Sequence, residues 1–250
     1  MSQNPCLLIL DYPGRRPEAH LDELGLEDLG FECRYLLTGP MPDEVTTERY
    51  ARKLADAFEA ADGNVGGVIS YCAAAPLAAE LAERASGDCS VPVVMLDPFD
   101  CDEHHIAGQY AAVVRQIEGG GPAEERQPLL DVAAGISRPL ALAAQIAQDL
   151  SLRAKRTLAA SGDELDADEL AAHVVSMYVD WLKFLLAVYH RPRDVHMGAV
   201  LHVISRQGPP SPDWLRAGKV QTVKIGCDHA DLARSRETRR VINEFLERWM

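Results

Sequence analysis

Short apolar runs alternate with amphipathic stretches toward both ends of the chain, whereas the middle is helical in pattern almost throughout. The run "CLLIL" (residues 6–10) is dense in branched residues and stopped by "DYPGRRP", which predicts a buried strand and a turn. "FECRYLL" (31–37) is a weaker strand. Residues 43–61 place Tyr50, Leu54, Ala57 and Phe58 on one helical face with charges opposite. "GNVGGVISY" then gives a glycine-flanked strand, and the alanine-rich stretch after Cys72 gives a helix. "VPVVML" (91–96) is another continuous apolar run, ended by "DPFD". Strands apolar on both faces and alternating with helices indicate a parallel sheet covered on both sides.

From about residue 103 to 193 almost no strand signal is present. Residues 139–161 form one helical pattern. From about Asp166 to Tyr189, Leu170, Val174, Met177, Tyr178, Trp181, Leu185 and Val188 recur at three- and four-residue spacing, with carboxylates at the start to complement the dipole. Strand signals return at 199–205 and 220–225. The last sixteen residues form a helix capped by Ser235, with a stripe of Val241, Ile242, Phe245, Leu246 and Trp249. The layout predicted is an α/β core over 1–102, a helical insertion over 103–193, and the closing strands and helix over 194–250.

Composition narrows this little. With 47% hydrophobic and 25% charged residues, the 250-residue chain is that of a globular protein with a full core. A formal charge of −13 argues against nucleic acid, whose phosphates need a concentrated basic surface. No basic segment precedes the first apolar run, and "WLKFLLAVY" is short for a bilayer and carries Lys183. The expectation is a cytoplasmic protein that engages no membrane. The six cysteines show no C-x-x-C pair, so each defaults to a packed free thiol.

One cysteine has a context that raises it above that default. Ser70-Tyr71-Cys72-Ala73-Ala74 follows the small-x-nucleophile-x-small form of a nucleophile elbow, where strand and helix approach too closely for large neighbours. Pro76 suits the first turn of the following helix. The positive end of that helix would lower the Cys72 thiol pKa, and the Ala73 N–H is a natural oxyanion donor. The pattern exposes Glu80, Glu83 and Arg84. Asp97 ends the next strand, and His229 follows the last one within "GCDHADL". The order nucleophile, acid, histidine places all three at strand C-terminal ends, where open α/β sheets build their sites.

On "LLILDYPG", "VISYCAAAPLA", "VVMLD", the helical insertion and "VKIGCDHADL", the chain resembles the α/β-hydrolase thioesterases of nonribosomal peptide and polyketide synthesis. The resemblance covers nearly the whole chain. It implies a catalytic Cys72, Asp97 and His229, with Asp97 selected because the family's acid often follows the strand after the nucleophile's. It also implies a second oxyanion N–H near Tyr12 and Pro13; proline has none, so Tyr12 is chosen. Cys72 replaces the usual serine, as in a small subset of these enzymes, and Ser70 and Ala74 replace the family's glycines. The implied substrate is a thioester on a carrier protein or coenzyme A, borne on phosphopantetheine, with no cofactor of the protein's own.

Three functions remain open on the sequence: hydrolytic release, transfer of acyl groups between carrier proteins, and a non-catalytic binding protein of the same fold. A thiolate attacking a thioester exchanges like for like, so the acyl-enzyme stays activated for an amine, hydroxyl or second thiol. Asp100 and Asp102 compete with Asp97, and Asp228 reads as a loop-stabilising neighbour. "DPFDCDEHH" (97–105) has metal-ligand residue types, but consecutive loop residues rarely converge on one ion, and no metal is expected. Arg234, Arg236, Arg239 and Arg240 make a basic cluster suited to solvent or to an acidic carrier protein.

Overall fold

The computed structural model describes residues 5–13, 18–59, 65–85, 91–119, 129–161, 167–191, 195–208 and 215–249. They divide into two compact units. One contains every described strand; the other spans Cys101–His190 and includes Asp43–Thr46.

In the strand-bearing unit, β1 (Cys6–Leu10), β2 (Glu32–Tyr35), β3 (Val65–Tyr71), β4 (Val93–Leu96), β5 (Val195–Ile204) and β6 (Leu215–Lys224) form one sheet. Its order is β2-β1-β3-β4-β5-β6, and every neighbouring pair is parallel. Chain order reverses between β1 and β3, so the switch point lies where β3 delivers Cys72. α1 (Thr47–Glu59) packs on α2 (Ala75–Ala85), and α2 packs on β3, β4 and β5. α7 (Arg236–Trp249) joins the opposite core: Val241, Ile242, Phe245 and Leu246 meet Leu7, Ile9, Ile69, Leu96 and Val203. Alternation along each strand feeds both cores, which is why the runs are apolar throughout.

Several expectations shift. α2 is buried over Ala75–Ala82, so Glu80 is inside rather than exposed, its carboxylate held by Arg84 at 2.9 Å. Between β1 and β2 the chain makes two 3-10 turns, Leu21–Leu24 and Leu26–Leu29, separated by Gly25 at φ 59. β6 begins earlier than 220, because an edge strand needs no apolar run where one side of it faces solvent. Trp249, placed on the apolar stripe, is exposed with Lys219 over its ring. The side chains of Ala57, Phe58 and Leu170, and the cap at Asp166, lie outside the described residues.

The helical unit contains α3 (Glu103–Ile117), the short α4 (Val132–Gly135), α5 (Pro139–Ser161) and α6 (Ala167–Tyr189). α5 buries Leu142, Ile146 and Leu150 along one stripe, and α6 packs against it. Up to Leu182 the buried face of α6 runs through Ala171, Val175, Val179 and Leu182, one position round from the predicted stripe, leaving Met177 exposed, whereas Leu185 and Val188 are buried as predicted. So apolar a helix has no strongly polar face to fix its rotation. Ala171–Tyr189 is long and apolar enough by composition to cross a membrane, yet half of it is buried inside the protein, as in a core helix. Arg153 is buried between Asp149 (2.6 Å) and Glu118 (2.5 Å), tying α5 to the segment after α3.

Candidate active site

β3 ends in a sharp turn. Cys72 has φ 52, a left-handed conformation that costs a non-glycine residue about 1–2 kcal/mol. A 3-10 turn, Cys72–Ala74, leads directly into α2. Ala73 and Ala74 are buried, so larger side chains would have no room between strand and helix. The Ala73 N–H lies in this first turn, where helical donors lack intrahelical partners. Tyr12, half-buried, follows the C-terminal end of β1, the strand beside β3.

Asp97 is the second non-glycine residue at positive φ, 42, and Pro98 after it disfavours a right-handed helical alternative. Its carboxylate is buried. Oδ2 lies 2.7 Å from His229 Nδ1, and Oδ1 accepts from the Ser205 N–H at 2.7 Å. Burial pushes this carboxyl's pKa up, but the bonds from the His229 ring and the Ser205 N–H outweigh it and hold the pKa below the usual value. The group is therefore ionised, and its bond to Nδ1 selects the tautomer with Nε2 as the proton acceptor.

Of the predicted residues, Asp97 and His229 meet directly. Two links tie them to the elbow. The Phe99 N–H donates to the Cys72 carbonyl at 3.3 Å, and Tyr71 stacks on the His229 ring with centroids 4.9 Å apart. The Tyr71 hydroxyl also donates to the His229 carbonyl at 2.9 Å. Tyr71 thus fixes both the ring face and the loop of the histidine from the position before the nucleophile candidate.

The competing carboxylates are engaged elsewhere. Asp102 caps α3 through the His105 N–H, Asp100 pairs with Arg191 at 2.8 Å, and Asp228 pairs with Arg206 at 3.3 Å. No group of metal-ligating residues converges among the described residues. Most of the basic cluster is paired internally: Arg234 with Glu23 (2.7 Å), Arg239 with Asp28 (3.4 Å) and Arg240 with Glu244 (2.7 Å). His202 is buried in β5, and burial pushes its pKa down against the pull of Asp97, so it is neutral.

Sequence reasoning missed the acid's cradle. The Gly208 N–H donates to the Ser205 carbonyl at 3.1 Å. A Cβ at Gly208 would overlap Asp97 Oδ1 and lie 3.0 Å from the Ser205 nitrogen. Only a glycine after a strand marks this position in the sequence, a signal shared by most turns. Gly208→Ala is expected to push the carboxylate off the imidazole and lower kcat about 100-fold with little change in KM, because misplacement near 1 Å costs that much. Steady-state kinetics on the folded variant would check it.

The sheet order, the elbow after β3 and the paired acid and histidine after β4 and β6 define an α/β-hydrolase fold. No family model matches the sequence, and no curated protein matches it. Solved structures do resemble it. An α/β hydrolase from Nostoc sp. PCC 7120 aligns with TM-score 0.53 and 15% identity, covering 97% of this chain and 90% of that one. The Vlm2 thioesterase domain, bound with a dodecadepsipeptide, aligns at 0.50 and 14%, covering 98% and 97%. The NocB thioesterase domain, in covalent complex with a fluorophosphonate nocardicin G analogue, aligns at 0.50 and 14%, covering 96% and 94%.

Proposed function

We propose that this chain is an α/β-hydrolase-type enzyme that accepts an acyl or peptidyl group from a thioester onto Cys72. The observation that carries it is the 2.7 Å bond between Asp97 and His229, which follow β4 and β6 at the sheet end where β3 leads into a cysteine held at positive φ. The similarity to the Vlm2 and NocB thioesterase domains supports the thioester class. The proposed donor is a carrier protein or coenzyme A, whose pantetheine thiol is the leaving group.

In the first half-reaction, His229 Nε2 takes the Cys72 thiol proton as sulfur attacks the thioester carbonyl carbon. Asp97 stabilises the resulting imidazolium without taking its proton. N–H groups of Ala73 and Tyr12 hold the oxyanion. The tetrahedral intermediate collapses, the carbon–sulfur bond to the donor breaks, and the imidazolium protonates the departing thiolate. The acyl-Cys72 thioester retains the donor's activation, and water or another nucleophile then releases the acyl group.

Intact mass after incubation with an acyl-pantetheine thioester tests this. One acyl increment, mapped to Cys72, is the expected result. A protein that gains no mass, or carries the increment on another cysteine, sinks the proposal. Free acid among the products identifies hydrolysis, and label on a second carrier protein identifies transfer.

A further inference from the structure

A second carboxylate–imidazole pair stands beside the first. Asp11 follows β1, and its Oδ2 lies 3.1 Å from His20 Nδ1 while accepting from the Leu21 N–H at 2.8 Å. The two pairs match in exposure: 6% for the Asp11 side chain and 37% for His20, against 2% for Asp97 and 40% for His229. Each is a buried carboxylate holding a partly exposed ring by Nδ1, which directs Nε2 outward as the basic nitrogen.

Position puts the second pair at the same end of the sheet as the first. Leu10 is in register with Ser70 on β3, so Asp11 leaves the sheet at the end where β3 leads through Tyr71 to Cys72. At the other end, the Ala19 N–H donates to the Ala230 carbonyl at 2.8 Å, which joins the residue before His20 to the residue after His229. The segment is pinned further by the His20 N–H on Glu23 Oε1 (3.1 Å), and Glu23 is clamped by Arg234. A capping carboxylate needs only the Leu21 N–H. Adding an imidazole to the same oxygen gives the cap nothing, but it creates an oriented base.

We infer that the acceptor of the acyl group is a primary amine, with His20 as the base that removes its extra proton. The inference rests on the acyl-Cys72 reading above. Water or a thiol brings one proton to the second half-reaction; His229 takes it and returns it to Cys72 as the carbon–sulfur bond breaks. An amine reaching the site near neutral pH is an ammonium, and forming the amide releases two protons. One restores the Cys72 thiol through His229. The other must leave the site before nitrogen has a lone pair, and His20 Nε2 takes it to solvent, with Asp11 stabilising the imidazolium. The balance is acyl-Cys72 plus alkylammonium giving amide, Cys72 thiol and one released proton.

The test supplies an acyl N-acetylcysteamine thioester with propylamine at neutral pH and measures acyl-Cys72, N-propylamide and free acid. The wild-type protein is expected to form acyl-Cys72 and to partition it to amide. His20→Gln is expected to lower the amide-to-acid ratio at least tenfold, and free imidazole to restore it in His20→Ala. A wild-type protein that forms acyl-Cys72 but no amide overturns the inference and leaves the acyl-Cys72 reading standing. An unchanged ratio in His20→Gln also overturns it. Absence of acyl-Cys72 in the wild-type protein overturns both.

Discussion

A Cys72→Ala protein is expected to fold and to lose about 10⁶-fold in turnover, the scale on which removing the nucleophile of a hydrogen-bonded triad acts. Alanine keeps a Cβ and so keeps the backbone strain at φ 52, while deleting the sulfur alone. Cys72→Gly should be equally inactive but differ in stability. Glycine escapes a left-handed penalty of about 1–2 kcal/mol, against an unfolded-state entropy cost of about 0.5–1 kcal/mol. The glycine protein is therefore expected to exceed the alanine protein by about 0.5–1 kcal/mol in denaturant unfolding. That sign matters because it separates strain held for chemistry from strain held for packing. If glycine proved less stable than alanine, the elbow would be a packing feature.

Asp97→Asn is the second large effect, about 10⁴-fold in kcat. The asparagine carbonyl can still accept from the Ser205 N–H, so the cradle survives. Its amide group then faces His229 Nδ1, which must accept, and the ring proton moves to Nε2. The base is lost to a tautomer change with hardly any change of shape. A stability effect accompanies it. The carboxyl's folded pKa is depressed, so its stabilising contribution is fully present above the ordinary carboxylate value and is lost as pH falls through the folded value. The stability gap between wild-type and Asp97→Asn proteins should be flat above about pH 5 and close below about pH 4. Denaturant midpoints across that range would show it.

The elements easiest to read from the sequence were those whose ends carry local chemistry. β1 runs from Cys6 to Leu10 as its apolar run does, because "DYPG" can continue neither strand nor helix. α5 starts at Pro139, a residue suited to a first turn, where its pattern begins. The order of Cys72, Asp97 and His229 was legible because each follows a strand signal. Among the neighbouring aspartates, though, only geometry separates Asp97 from Asp100 and Asp102. What stayed hidden depends on distant segments meeting. Ser205 and Gly208 surround a carboxylate more than a hundred residues earlier, and Asp11 is paired with a histidine nine residues later in a stretch of sequence without periodicity. The rotation of α6 was hidden for another reason, since an almost uniformly apolar helix encodes its length better than its face.

The parallel neighbours β4 and β5 are separated by the whole helical unit, so Leu96 meets Val203 only after roughly a hundred residues have been gathered in. Contacts of such long range form slowly, and compaction of the unit between them shortens the loop to be closed. β1, β3 and α2 can assemble before that closure, setting Cys72 at its turn early in folding. Ser205, Gly208 and His229 all lie beyond it. Newly made chains would therefore hold a placed thiol before they have an oriented base. The Asp97–His229 pair is completed last, with the docking of β5 and β6, and under the proposed mechanism a partly folded chain would be protected from premature acylation by the order of its own topology.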